Sequence, residues 1–225
     1  MRLLALLLAT PLFAAEPPAI TPPPCCSGNS RSAKLESDLF LNHEPWNFTD
    51  PAAWKWSGSG AKSTLVLIKQ SRNKPTYRSP LNLAWFSGKE WKDFTLTAEV
   101  KLTKFDDGNN DLCIAFGRAT ENQFYYAHLG EEADEPHHQI HLVDQSDRKP
   151  ITTYRTLGTP WKKDTWHHVK VVRNFTTGDI GVWFDDMAKP VLTAKDKTLE
   201  WGLIGLGSFD DLGEFRNVHI RGTSR

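Results

Sequence analysis

Phe94-Thr95-Leu96-Thr97-Ala98-Glu99-Val100-Lys101-Leu102 alternates apolar and polar side chains without a break. Successive side chains of an extended chain point to opposite faces, so the apolar groups here fall on one side and the polar groups on the other. A strand of this kind rests one face on a core and leaves the other wet, as antiparallel sheets do. Outward from it, short segments rich in β-branched and aromatic residues recur at intervals of roughly ten residues. The expected strands are Ser63 to Lys69, Phe94 to Leu102, Asp111 to Arg118, Gln123 to Leu129, Gln139 to Val143, His167 to Arg173, Ile180 to Phe184, Leu203 to Phe209 and Phe215 to Arg221. Between them lie Asp106-Asp107-Gly108-Asn109-Asn110, Thr176-Thr177-Gly178-Asp179 and Asp210-Asp211-Leu212-Gly213, where Gly and Asn supply the positive φ of tight connections.

No stretch of a dozen residues carries the apolar spacing of an amphipathic helix, and Asp50 to Trp56 makes a helical turn at most. Many short strands without helices mean an all-β sandwich or barrel. The domain begins near residue 35 and runs to 225. Ahead of it, residues 16–34 are rich in Pro, Ser and Gly and read as a linker or disordered tail. Met1 to Ala15 combines one positive charge, an apolar run from Leu3 to Ala9 and small residues at Ala14 and Ala15. That is the make-up of a signal peptide, too short to span a bilayer, so the chain is expected to be secreted.

Lys plus Arg and Asp plus Glu both number 27, and loss of Arg2 with the signal leaves the mature chain at −1. Such a balance lacks the basic footprint of a nucleic-acid partner. Three cysteines leave one unpaired and carry no metal spacing: Cys25 and Cys26 are adjacent in the tail, and Cys113 sits alone in an apolar strand. Asn47-Phe48-Thr49 and Asn174-Phe175-Thr176 fit the glycosylation sequon of a eukaryotic secreted chain.

The second half carries an ordered set of segments. Trp166-His167-His168-Val169-Lys170-Val171-Val172-Arg173 is followed by Gly178-Asp179-Ile180-Gly181-Val182-Trp183-Phe184-Asp185-Asp186, then Gly202-Leu203-Ile204-Gly205-Leu206-Gly207-Ser208, then Phe215-Arg216-Asn217-Val218-His219-Ile220. This order resembles the concanavalin A-like lectin/glucanase superfamily, closest to the laminin-G-like and 3-keto-disaccharide hydrolase-like domains of secreted bacterial proteins. The resemblance spans about residues 39 to 222 and implies an antiparallel two-sheet jelly-roll sandwich. It implies a glycan or polysaccharide partner, and structural calcium, but no required cofactor. Lectins, hydrolases, lyases and adhesion modules share this fold, so activity must be read from a site. The alternating carboxylates of a retaining glucanase, which need a separation of about 5 Å, have no counterpart: Glu99 is the only acid on its strand.

Four of the eight histidines lie between residues 128 and 141, beside three aromatics and four acids. Period-two counting puts Phe124, Tyr126 and His128 on one face, and Gln139, His141 and Val143 on one face of the returning strand. In the strand before them Leu112, Ile114, Phe116 and Arg118 share one face, and Asp111, Cys113, Ala115 and Gly117 the other. Bulky against small suits a core face backed by the floor of a groove, or close packing on a neighbour. The expected glycan-binding face is therefore built from Asp111, Arg118, Tyr126, His128, His138 and His141, with a divalent metal at the histidines, or a wet hairpin, as the other readings. A glycoside hydrolase or a lyase with His and Tyr as base and acid would use the same surface, whereas a protein-binding adhesion module would have no sugar groove. Asp106, Asp107, Asp210 and Asp211 are the candidate calcium ligands. Nine tryptophans crowd the chain; most belong in a core, with one or two free to stack on a sugar.

Overall fold

The alternating segment from Phe94 proves to be the second half of one 21-residue strand that passes through both layers of the molecule. The computed structural model describes residues 16–23, 34–41, 43, 45–104 and 110–225. Among them the strands are β1 (Lys34–Asp38), β2 (Trp46–Phe48), β3 (Trp54–Ser57), β4 (Thr64–Leu67), β5 (Asn82–Leu102), β6 (Asp111–Thr120), β7 (Gln123–Gly130) and β8 (Gln139–Asp144). Next along the chain are β9 (Lys149–Pro150), β10 (Thr152–Arg155), β11 (His167–Asn174), β12 (Asp179–Phe184), β13 (Leu192–Lys195), β14 (Gly202–Ser208) and β15 (Gly213–Ser224). Each expected strand is present, with its ends moved by no more than a few residues except for the one expected from Phe94, which begins twelve residues earlier, at Asn82. Those unforeseen (β1, β2, β3, β9, β10 and β13) have five residues or fewer, too short to display a period. Between Asp50 and Trp56 there is one 3-10 turn, Pro51–Ala53, whose Ala52 N–H donates to the Asp50 carboxylate at 3.1 Å.

Every pairing is antiparallel. Residues 82–86 of β5 lie between β2 and β14, and the first sheet continues through β6, β7, β8 and β9. Residues 94–100 lie between β11 and β15, and the second sheet runs β10-β13-β12-β11-β5-β15, with β1 and β4 on β15 and β3 on β4. One apolar core fills the space between them. Leu96, Ala98 and Val100 enter it from β5, and Val169, Val171, Ile180 and Val182 from its neighbours. Leu112, Ile114, Phe116, Tyr125 and Ala127 enter from the opposite sheet. Phe116 stacks on Tyr125 at 5.4 Å and meets Phe94 edge-on at 5.9 Å, so aromatic packing bridges the layers. Each large side chain so buried contributes about 1.5–3 kcal/mol. The fold is thus the two-sheet, antiparallel jelly roll expected from the strand pattern.

Of the nine tryptophans, Trp46, Trp54, Trp85, Trp91, Trp161 and Trp183 are buried. In the Pro-rich stretch, residues 16–23 have no regular secondary structure; the Asn174 amide donates to the Thr21 and Pro22 carbonyls there. Residues 1–15, Cys25, Cys26, Asp106 and Asp107 lie outside the described residues.

Candidate functional site

The face of the first sheet turned away from the main core has its own small cluster: Leu83 and Trp85 of β5, Cys113 and Ala115 of β6, Phe124 and Tyr126 of β7, and Val143 of β8. Small residues on β6 let large rings from both sides lie over it. Asp111, Tyr126, His128 and His141 are on this face: period-two counting groups residues within each strand, and the register of β6, β7 and β8 brings the groups together. Tyr126 is opposite His141, with rings stacked at 4.9 Å and 21°. Cys113 is opposite His128. The Pro136 carbonyl accepts from two imidazoles, His128 Nδ1 at 3.0 Å and His141 Nε2 at 3.1 Å.

These side chains do not meet solvent: Asp111, Tyr126, His128 and His141 are each at most 1% exposed. Phe209 lies over His128 with ring centroids 5.8 Å apart. The Arg148 guanidinium lies 4.5 Å above Phe209 and donates to the Tyr126 hydroxyl at 3.3 Å. Burial raises the Tyr126 phenol above its ordinary range. Burial, with help from His128 and Arg148, pushes His141 down to about 3, which keeps it neutral. His138 stands apart from the others. It points to the opposite side of β8, where its Nε2 reaches Thr156 Oγ1 at 3.0 Å and its Nδ1 reaches Thr159 Oγ1 at 3.1 Å.

Arg118 corrects the period-two reading, which put it on the core side with Leu112, Ile114 and Phe116. Gly117 has φ +65°, and the ladders on both sides of β6 shift register around it. This is a β-bulge, and it turns the next side chain to the other face. The Arg118 guanidinium therefore lies 5.0 Å above the Trp85 ring. Gly117 also meets Gly202 of β14 so closely that a Cβ on Gly202 would come within 2.1 Å of the Gly117 carbonyl carbon.

Beside Arg118 the same face opens into a cleft of about 280 Å³. Leu83, Trp85 and Phe124 floor it, and Asn47, Asn73, Glu121 and Asn122 stand around its rim with Arg118. Asn47 enters through the pairing of β2 with β5, directly opposite Trp85. Glu121 and Asn122 form the two-residue connection of the β6–β7 hairpin, since Thr120 pairs with Gln123. Of the side chains expected at a ligand face, Arg118 is the one that lines this cleft. Trp85 and the rim amides were missed; the cue was Gly117, because glycine inside a strand marks a bulge.

Asp210 and Asp211, expected as calcium ligands, bring carboxylate oxygens within 4.8 Å of that of Asp111. Asp211 is already engaged, accepting the Asp111 backbone N–H at 2.7 Å. Asn217 of β15 adopts φ +50° at a bulge and donates to Glu99 at 2.9 Å. No described helix is long and apolar enough to cross a membrane.

No protein-family model and no curated protein sequence matches the chain. Solved structures do. The carbohydrate binding module CBM66 from Bacillus subtilis is 18% identical, with a TM-score of 0.55 over 79% of this chain and 96% of that one. The winged bean acidic lectin, complexed with methyl-α-D-galactose, is 11% identical with a TM-score of 0.53 over 87% of this chain and 100% of that one. Domain 4 of AbnA, an extracellular arabinanase from Geobacillus stearothermophilus in complex with arabinotriose, is 8% identical with a TM-score of 0.50 over 87% of this chain and 95% of that one. At such identities the likeness is one of fold: with the topology above, the chain has the two-sheet jelly-roll fold that these lectin and binding-module structures share.

Proposed function

We propose that this chain is a secreted carbohydrate-binding domain that takes a mono- or disaccharide unit of a glycan in the cleft beside Arg118 and Trp85. One observation carries the reading. The Arg118 guanidinium is held 5.0 Å above an indole in the lining of the cleft, yet it makes no hydrogen bond to the described residues. An arginine offers five N–H donors, and a sugar's hydroxyls accept from such a fork while Asn47, Asn73, Asn122 and Glu121 meet its remaining hydroxyls. A volume of about 280 Å³ sits at the small end of ligand sites, the size of one or two sugar rings. The fold's relatives support the reading in kind, since a binding module and a lectin are among them. Glu121 is the single acid among the described residues lining the cleft, so the cleft lacks a carboxylate pair for hydrolysis and suits binding.

The test is a screen of immobilised glycans and polysaccharides, with reducing-end and unsaturated-product assays on every hit. The expected result is binding without product. Arg118→Ala should weaken each hit about tenfold, or ~1.4 kcal/mol, with no change in melting temperature beyond a degree or two. Product formation would move the chain to the enzymes. Hits indifferent to Arg118→Ala would move the site elsewhere, and silence on all glycans would favour a protein-binding adhesion module.

A further inference from the structure

Away from the cleft, beneath Phe209, the structure brings together three side chains that no sugar can reach. Asp111 and Cys113 are two residues apart on β6 and share a face, and His128 is the cross-strand partner of Cys113 on β7. Each is at most 1% exposed, and their ligand atoms (a carboxylate oxygen, Sγ and an imidazole nitrogen) lie within 4.8 Å of one another. Tetrahedral zinc holds such atoms roughly 3.5 Å apart, so a small inward turn of each side chain closes the set.

His128 shows what is lacking. Its Nδ1 is taken by the Pro136 carbonyl, which can only accept, so Nδ1 carries the hydrogen. With that one ring hydrogen placed on Nδ1, Nε2 is a lone pair. It is fully buried, has no hydrogen-bond partner, and faces Asp111 Oδ2 at 3.3 Å. A lone pair opposed to a carboxylate inside a protein asks for a cation between them. The surroundings have the form of a metal site's outer layer: a backbone carbonyl fixes the ligating imidazole, and the Phe209 N–H fixes Asp111 Oδ1 at 2.9 Å.

We propose that Asp111, Cys113 and His128 form a buried structural site for a divalent, zinc-like cation, with Asp210 or one water as the fourth ligand. Carboxylate, thiolate and imidazole together select zinc over calcium, which wants six or more oxygens. The Asp210 carboxylate stands within 4.8 Å of that of Asp111 and is open to solvent, which gives the ion its way in. Burial and the adjacent Asp111 raise the Cys113 thiol well above its usual range, so uptake of the ion displaces the thiol proton to solvent.

Cobalt(II) reports on this directly. The full chain carrying Cys25→Ser and Cys26→Ser, stripped with a chelator, is titrated with cobalt(II) and then with zinc(II). Equimolar uptake is expected, with a thiolate-to-cobalt charge-transfer band, four-coordinate visible bands, release of a proton, and loss of all colour when zinc is added. Cys113→Ser should remove the charge-transfer band, and His128→Gln should weaken uptake at least tenfold. Absence of the charge-transfer band in the chain that retains Cys113 overturns the proposal without recourse to any variant. A band that survives Cys113→Ser overturns it too, as does an NMR spectrum showing His128 doubly protonated in a chain that takes up no metal. The glycan screen addresses a different site, so each idea can fail while the other stands.

Discussion

His138 is a buried histidine fully occupied by protein. The Thr156 hydroxyl donates to the Gly158 carbonyl and so accepts from His138 Nε2, while Thr159 serves Nδ1. Burial lowers its pKa from 6.5 to about 4, with Arg155 and His128 adding to the effect. Between those two values the unfolded chain binds a proton that the folded chain refuses. Stability from this group is therefore complete above pH 6.5 and falls as the pH drops toward 4, by up to about 3 kcal/mol. Urea unfolding at a series of pH values should show that loss, and His138→Gln should flatten it; an acid slope unchanged in the variant would assign the loss to other groups. In sequence, His138 was indistinguishable from its neighbours. Four histidines in fourteen residues suggested one wet surface, because burial is decided by Phe209 and Arg148, which arrive from elsewhere in the chain. What the residues alone did yield was the side of the strand for Asp111, Tyr126, His128 and His141.

At the scale of the element, the hairpin β6–β7 decides where the cleft is. Period-two reading holds along it from Asp111 to Phe116 and fails at the next step, because a bulge adds a residue that counting cannot see. Gly117→Ala places a side chain at φ +65° with its Cβ 3.0 Å from Tyr125 Cδ2. A loss of about 1–2 kcal/mol is expected in urea unfolding. Arg118 should swing off Trp85 as the bulge relaxes, weakening glycan binding along with stability. Gly202→Ala, whose Cβ would run into the Gly117 backbone rather than a movable ring, should be far worse and give little folded protein. An alanine at 117 as stable and as active as glycine would mean that the bulge does not set the Arg118 position. The long β5 was half legible for a similar reason. Its second half alternates cleanly, whereas residues 82–85 are buried on both faces, against the main core and against the cluster under the cleft, and so show no period.

Across the whole molecule, order along the chain and neighbourhood in space diverge. β15 comes last yet pairs with β1, β4 and β5, and Phe215, Val218 and Ile220 enter the core from it. A chain ending before Gly213 should therefore lack a protected core, as read by limited proteolysis; a compact, resistant fragment of that length would show the first sheet to be self-sufficient. The jelly-roll plan was legible because it needs only strand spacing and one-sided alternation, both written locally. The cleft was not, since Asn47, Trp85 and Arg118 are drawn from β2, β5 and β6 by pairing. The pairing of β1 with β15 has a mechanical side. Lys34 stands opposite Thr223 and Asp38 opposite His219, so both outer ends of this ladder point the same way. Its hydrogen bonds lie across the strands. If the chain is tethered by its leading segment and hauled from its Arg225 end, tension peels those bonds one after another instead of loading them together. The first strand then unzips at low force while the sandwich behind it holds, lengthening the tether like a short, resettable slack.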